Sequence, residues 1–265
     1  MRASLLRSFL VLALAPATAQ EIPVCAMNAS NFPALTARAE SGDAQAQLEL
    51  GQAYAEAKDP DGLSLAGYWF KKAAEQGNEN AEMRLSWAYG AGEGLPQNDD
   101  SALYWLNKAA EDGQTRALWT LGMYYRDGRH VERNQQTAFN LFLRAAKQGN
   151  VDAQFSVAQM YEDGDGVPRD YSQAVSWYKK AAEHVLDYGG AGQARNNLGL
   201  LYFDGRDIPQ DYVTAYMYFR LANNKQNMQW AAERMSHSQI AEALHGAKEW
   251  MLQHPDPPAC SFSAD

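Results

Sequence analysis

Residues 153–182 read AQFSVAQMYEDGDGVPRDYSQAVSWYKKAA, and this stretch contains one complete structural unit. Apolar residues recur three and four positions apart between Ala153 and Tyr161, which is the spacing of an amphipathic helix. The segment Gly-Asp-Gly-Val-Pro that follows should end this helix, because glycine and proline interrupt helical structure. Asp170 is a predicted N-cap, since its carboxylate can accept hydrogen bonds from the first turn of a second helix. The stretch therefore predicts a helix, a turn and another helix.

The unit recurs along the chain every 36 residues. An Ala-Ala dipeptide closes four successive units, at Ala73-Ala74, Ala109-Ala110, Ala145-Ala146 and Ala181-Ala182. A tyrosine recurs in the first helix of each unit, at Tyr54, Tyr89, Tyr125, Tyr161 and Tyr202. A period of about 20–50 residues is typical of a solenoid, in which one supersecondary unit stacks on the next. The sequence therefore predicts an all-α solenoid of about five helix-turn-helix repeats.

A column of small residues precedes these tyrosines by three positions and comprises Gly51, Ser86, Gly122, Ala158 and Gly199. Glycine inside a helix is less favourable than alanine by about 1 kcal/mol. Its recurrence in one column predicts that the two helices of a repeat lie in close contact at this point.

Two spacings depart from the period. The first step between tyrosines is 35 residues, which predicts a turn around Pro60-Asp61-Gly62 that is shorter by one residue. The last step is 41 residues, and the additional residues lie within 184–192. We expect this insertion to form a surface loop between helices, because solenoids accommodate insertions in loops. A contact between this loop and a ligand is the alternative.

The repeated pattern resembles the Sel-one-like repeat (SLR) family, which is related to the tetratricopeptide repeats. Residues 153–182 match the family pattern nearly throughout, and the resemblance covers roughly residues 40–252. Three further pairs occupy family positions: Leu121-Gly122, Leu198-Gly199 and Asn196-Asn197. The resemblance implies a right-handed α/α superhelix with helical caps that usually serves as a protein-binding adaptor, and many bacterial members are exported.

One branch of the SLR family is rich in cysteine and has been linked to β-lactam binding or hydrolysis. That branch closes each repeat with a disulfide, whereas the repeats of this chain contain no cysteine. The activity of that branch is therefore not transferred to this protein.

The chain divides into five predicted segments. Residues 1–19 resemble a signal peptide, because two arginines precede a short apolar run and the sequence Ala-Thr-Ala. The apolar run is too short for a transmembrane helix, which needs about 20 residues. The other segments are a tail with a capping helix at 20–40, the five repeats at 41–227, C-terminal capping helices at 228–252 and a flexible tail at 253–265. We expect a periplasmic or secreted protein that begins near Gln20.

The predicted caps are helical. Residues 31–40 indicate a lone helix before the first repeat, and residues 228–235 and 236–253 indicate two helices after the last one. Ser236 and Gln239 have the spacing of a capping box.

Composition and charge exclude several classes of partner. The chain carries a formal net charge of −9, and no cluster of basic residues is present. Nucleic acid and anionic membrane surfaces are therefore poor partners. The only two cysteines, Cys25 and Cys260, flank the repeats. An exported chain with two cysteines favours a disulfide, but five repeats would hold these tails far apart, so the pairing stays open.

Apparent catalytic and metal-binding motifs have simpler explanations. Ser176 to Lys179 matches S-x-x-K, but no K-T-G motif accompanies it and Trp177 belongs to a repeat column. Asp163 to Gly166 resembles the start of a calcium loop, yet Val167 stands where a third oxygen ligand is required. The histidines show no metal-ligand spacing. The sequence predicts no catalytic residue, metal or cofactor.

A partner-binding groove is predicted from two columns of the first helices in which the residue type varies. The columns are three positions apart and share one helix face. Trp87, Met123 and Leu200 are expected to present large apolar groups to solvent, unless the superhelical twist buries them between repeats. The predicted partner-binding residues are Arg84, Trp87, Thr120, Met123, Gln159, Asn197 and Leu200.

These observations favour a periplasmic scaffold that binds a protein or peptide, with regulation of a membrane sensor as a special case. A cell-wall-active or β-lactam-binding enzyme, or a secreted host-directed factor, remains as an alternative.

Overall fold

The computed structural model describes residues 32–56, 60–184 and 190–255, and these ranges contain α-helices and no strand. The helices are α1 (Pro33–Glu40), α2 (Ala44–Glu56), α3 (Pro60–Glu75), α4 (Glu79–Ala91), α5 (Asp99–Glu111), α6 (Thr115–Asp127), α7 (Gln135–Lys147), α8 (Val151–Asp163), α9 (Tyr171–Ala182), α10 (Gly190–Asp204), α11 (Tyr212–Leu221), α12 (Lys225–Ala232) and α13 (His237–Gln253).

Five helix pairs, from α2–α3 to α10–α11, follow one another along the chain. The two helices of each pair contact each other, and each second helix also contacts the first helix of the next pair. A continuous apolar core extends from Leu106 to Tyr218 through successive pairs. The structure thus confirms the all-α solenoid. α1 packs on α2, and α12 and α13 both pack on α11, so a helix covers each end of the array.

The turn within each repeat is built as the sequence predicts. In the fourth repeat Gly164 ends α8 in the left-handed conformation, with φ of 72°, which glycine adopts without steric cost. Asp170 then caps α9, and its carboxylate accepts a hydrogen bond of 2.9 Å from the Gln173 amide. The Asp170 amide donates to the Tyr161 carbonyl over 2.9 Å. The tyrosine column therefore also marks the main-chain bond that closes the turn.

Two predicted loop segments are helical instead. α3 begins at Pro60, so Pro60-Asp61-Gly62 forms its first turn and not the preceding turn. Proline is favoured there because the first amides of a helix have no intrahelical partner. Residues 190–192 of the expected insertion loop are the beginning of α10, and the Gly190 amide donates to Asp152 over 2.9 Å. Residues 57–59 and 185–189 lie outside the described ranges.

The C-terminal cap differs from the prediction at one boundary. α12 spans Lys225–Ala232 rather than residues 228–235, because Asn224 caps it by accepting from the Asn227 amide over 3.1 Å. α13 follows Ser236, and both hydrogen bonds of the predicted capping box with Gln239 are present. α1 begins at Pro33. The predicted signal peptide, the segment 20–31 and residues 256–265 of the predicted tail lie outside the described ranges.

The small-residue column marks close helix contacts, as predicted. A Cβ on Gly122 of α6 would lie 2.6 Å from the Phe142 ring of α7, and one on Gly199 would lie 2.4 Å from the Phe219 ring. In the second repeat the corresponding Ser86 hydroxyl instead donates to the Ala102 carbonyl over 2.7 Å. In the third and fifth repeats, absence of a side chain on the first helix thus leaves space for a phenylalanine ring on the second.

Helices α1, α3, α5, α7 and α9 are each joined to the repeat that follows through a main-chain carbonyl near the helix end. The Ala39 carbonyl accepts from Gln47 over 2.9 Å, and the Ala146 carbonyl accepts from Gln154 over 3.2 Å. In the third repeat Leu118 replaces the glutamine, and Arg144 donates to the Ala110 carbonyl over 3.2 Å. Each of these donors belongs to the repeat that follows the carbonyl.

The second repeat makes the same connection through an ion pair. Glu82 occupies the glutamine column and is completely buried, and its carboxylate has no N–H to donate to the Ala74 carbonyl. Lys108 donates to that carbonyl over 3.3 Å and lies 2.6 Å from the Glu82 carboxylate. Burial raises the pKa of Glu82, and the ion pair with Lys108 opposes that shift. Lys108 therefore binds both the Ala74 carbonyl and the buried Glu82 carboxylate.

Arg195 makes the connection across the insertion. Its guanidinium donates to the Ala182 carbonyl over 3.2 Å and also to the His184 carbonyl. The side chain is buried beneath the Trp250 ring of α13, with 5.0 Å between the guanidinium carbon and the ring centroid. Arg195, which is longer than the glutamine of other repeats, thus connects α10 to the end of α9 across the insertion.

None of the described helices is both long enough and apolar enough to cross a membrane.

Replacement of Gly122 tests the close contact. Gly122→Val should destabilise the protein by about 1–3 kcal/mol, because the new side chain meets the buried Phe142 ring. Gly122→Ala should also destabilise it. Gly90→Ala is the matched control, since a Cβ there would lie 3.7 Å from Ala102, and the helix gains up to about 1 kcal/mol. Urea unfolding measures all three, and equal shifts for the two alanine variants would contradict the assignment.

Lys108→Met tests the ion-pair connection. The variant should lose about 3–5 kcal/mol of unfolding free energy, because it leaves the buried Glu82 without a counter-charge. Addition of Glu82→Gln should recover most of the loss, since glutamine donates to the corresponding carbonyl from Gln47 and Gln154. Urea unfolding followed by circular dichroism measures both variants. A double variant as unstable as the single one would show that the buried charge is not responsible.

Candidate functional site

A groove lies along the first helices of the first three repeats. It has a volume of about 1110 Å³. Three of the predicted partner-binding residues line it: Arg84, Trp87 and Thr120. Gln52, Asn80 and Gln114 add uncharged polar groups to the same surface.

Trp87 is the large apolar group of this groove. It lies on α4 between the buried Ser86 and Ala88, yet 57% of its own surface is exposed. Isolated exposed apolar residues are common, but one that lines a groove among polar groups has the setting of a binding residue.

Two arginines give the groove a local positive charge. Arg84 precedes Trp87 by one helical turn, and Arg116 lies at the beginning of α6. Both are exposed, and neither forms an ion pair with a carboxylate in the part of the chain that the structure describes. Asp99 also lines the groove and pairs with His130, so the two guanidinium groups leave an excess of positive charge in the lining. The groove therefore suits a ligand that carries carboxylates.

His130 lies at one end of the groove and was not predicted from the sequence. Its backbone has φ of 57°, whereas Gly94 and Gly166 occupy the corresponding turn positions with φ of 74°. A Cβ on Gly94 would lie within 2 Å of the Leu63 carbonyl oxygen, so glycine permits close packing there. The imidazole Nδ1 is 3.1 Å from Asp99 Oδ2. A non-glycine residue in the glycine column was the available sequence signal, although Asp207 of the fifth repeat also occupies this column, with φ of 50°, and does not line the groove.

A second pocket, of about 640 Å³, lies at the other end of the array. We call it the amide pocket, because it is lined by Gln159, Gln193, Asn196, Asn197 and Asn224, together with Phe155, Gly192 and Ala222. Two of the predicted partner-binding residues, Gln159 and Asn197, are among them. Asn196 belongs to the Asn196-Asn197 pair but was not among the predicted partner-binding residues, although this position is Leu48, Met83, Trp119 and Phe155 in the other repeats.

The remaining two predicted residues do not line either opening. Met123 is half-buried and packs against the central core, and Leu200 is half-buried against the core of the last repeat and the cap. Of the three apolar groups expected to face solvent, only Trp87 is largely exposed. Partner binding by the seven predicted residues stays a prediction.

The apparent S-x-x-K motif lies on α9. Ser176 is exposed on α9, and Lys179 lies over the Tyr202 ring at 5.7 Å. Within residues 32–56, 60–184 and 190–255 no group of three His, Cys, Asp or Glu side chains could hold a metal ion. Cys25 and Cys260 lie outside these ranges, so their predicted pairing has no structural description.

Comparison with known proteins places this geometry in a family. The Sel1 repeat model matches residues 44–78, 80–114, 115–150, 151–184 and 192–227, which is more than half of the chain. The protein therefore belongs to the Sel1 repeat family. Solenoids of this kind typically present extended surfaces for interaction with other proteins.

Two solved structures share the fold. One is c5321, a protective antigen present in uropathogenic Escherichia coli strains, which is 33% identical with a TM-score of 0.68. The alignment covers 84% of this chain and 49% of c5321, so this chain spans about half the length of that relative. The other is a Sel1 repeat protein from Oxalobacter formigenes, which is 25% identical with a TM-score of 0.61, over 79% of this chain and 89% of that protein. No curated protein matches the chain.

Proposed function

We propose that this protein is an exported scaffold that binds a segment of a partner protein in the groove around Trp87. The observation that carries the proposal is a largely exposed tryptophan in a groove of about 1110 Å³. Tryptophan is enriched among the residues that dominate binding energy at protein interfaces. The protein acts by binding and not by catalysis, as is general for this family.

The chemistry of the groove defines the segment that fits it. A large apolar side chain of the partner would pack against Trp87, and acidic side chains would pair with Arg84 and Arg116. The surrounding amides and hydroxyls, such as Thr120, supply hydrogen bonds at the rim. We therefore propose a partner segment that combines an apolar anchor with carboxylates. Its binding should weaken at high salt, because exposed charges are screened.

Export rests on the sequence of residues 1–19, which has the charge, apolar run and small residues of a signal peptide. The proposed compartment is the periplasm, where the scaffold would act in envelope assembly or signalling.

Trp87→Ala should weaken capture of the partner by about 2 kcal/mol or more while the melting temperature stays nearly unchanged, because an exposed side chain contributes little to packing. Partners would be identified by a photocrosslinking residue at Gln52 in intact cells, followed by mass spectrometry. Tyr104→Ala is the matched control, since Tyr104 is 61% exposed on α5 and does not line the groove. Equal capture by both variants, or a large stability loss in Trp87→Ala, would refute the groove assignment.

The proposed export predicts a processed N-terminus. The protein recovered from the periplasmic fraction should begin near Gln20, because cleavage follows small residues such as those at 17–19. N-terminal sequencing provides the measurement. An intact N-terminus in the cytoplasmic fraction would refute export and leave the groove assignment unaffected.

A further inference from the structure

The amide pocket lies apart from the Trp87 groove, and its lining includes the Asn196-Asn197 pair. Its five amide side chains have no ionisable neighbour among the residues that line the pocket. Two of these amides, Asn196 and Asn197, are adjacent on α10 and are held by different partners. The orientation of each amide follows from its partners.

The orientation of Asn196 follows from the cap of α12. Asn224 uses its Oδ1 to accept from the Asn227 amide, so its Nδ2 must act as a donor, and it donates to Asn196 Oδ1 over 2.8 Å. Asn227 Nδ2 donates to the same oxygen over 2.9 Å. The oxygen of Asn196 thus accepts two hydrogen bonds, and its Nδ2 group has no partner among the described residues.

The orientation of Asn197 is fixed by a phenol. Burial raises the pKa of Tyr178 well above its ordinary value, so the hydroxyl keeps its proton. That proton is donated to Glu162 over 2.7 Å, and the hydroxyl oxygen accepts from Asn197 Nδ2 over 2.9 Å. The Oδ1 of Asn197 is consequently the atom without a partner in the described part of the chain.

Adjacent residues therefore offer one unpaired donor and one unpaired acceptor, both held in place before any ligand arrives. A peptide group carries the matching acceptor and donor, its C=O and its N–H. The Phe155 ring packs against Tyr178, with 5.7 Å between ring centroids, and is half-buried. The ring adds an apolar wall beside the two amides.

We propose that the amide pocket binds the main chain of an extended, uncharged segment of the partner polypeptide, with Asn196 Nδ2 donating to a peptide carbonyl and Asn197 Oδ1 accepting from a peptide amide. The proposal deepens the proposed function and rests on it, since the same partner would be held by its side chains near Trp87 and by its backbone here. Residues 190–192 of the insertion acquire a role, because they extend α10 and place Gly192 and Gln193 in the wall of the pocket.

The probe is the capped tripeptide N-acetyl-Ala-Ala-Ala-N-methylamide, titrated into the full chain labelled with nitrogen-15. The side-chain amide signals of Asn196 and Asn197 should shift and saturate. An analogue in which an ester replaces the central amide lacks the N–H donor and should bind about two- to tenfold more weakly, which corresponds to one lost hydrogen bond. This comparison uses the unaltered protein, so it does not depend on whether a variant folds.

Asn196→Asp should weaken tripeptide binding by about two- to tenfold or more, because it keeps an oxygen for Asn224 and Asn227 but replaces the outward Nδ2 donor. Asn140→Asp on α7 is the matched control, since it adds the same charge at an exposed position away from the pocket. The control should bind the tripeptide as the unaltered protein does.

Three outcomes would overturn the proposal: no shift of these amide signals at saturating tripeptide, equal binding of the ester analogue, or shifts with maltotriose instead of the peptide. Trp87→Ala separates this result from the proposed function, because the tripeptide has no apolar anchor or charge and its binding should not change. If Trp87→Ala loses partner capture and the tripeptide shifts neither amide signal, the Trp87 groove is supported and the role of the amide pocket is refuted.

Discussion

A carbonyl group near a helix end connects the chain to the repeat that follows at five junctions, where a side chain of the following repeat donates to it. The last carbonyls of a helix lack the usual intrahelical donors, and at four of these junctions the same carbonyl also accepts from the glycine amide three residues later, as Ala74 does from Gly77 over 2.9 Å. The donor is glutamine, lysine or arginine, but the acceptor stays in the same place. Because the acceptor is a main-chain carbonyl, its position does not depend on residue type. The donor side chain can therefore differ from one repeat to the next.

The candidate sites lie where individual repeats depart from the shared columns. Trp87 is a large exposed group in a column that is otherwise smaller or half-buried, and His130 replaces a glycine of the turn. Asn196 is polar where the other repeats are apolar. A regular solenoid would present the same surface at every repeat. These three substitutions make the two ends of the array chemically different, with charge and an aromatic ring at one end and neutral amides at the other.

The sequence predicted the fold well because the periodic positions are core positions. Asp170 and the Ser236 capping box occur where the pattern placed them because each acts through a residue three positions away, and Gly122 does so because its contact with Phe142 lies within one repeat. The site was predicted only in part. The exposure of Met123 and Leu200 depends on how the superhelix twists from one repeat to the next. The 36-residue period of the sequence does not specify that twist. The contact between Asn196 and Asn224 joins residues 28 apart, and no spacing rule marks it.

The pairing of Gly122 with Phe142 constrains how such a gene can lengthen. Recombination within a repeat could place Ser86 opposite a phenylalanine, which would clash, or a glycine opposite Leu106, which would leave a void. Recombination between repeats keeps both members of each pair on one segment. Growth or shortening of the array by whole repeats therefore preserves the packing within each repeat, whereas exchange within a repeat does not.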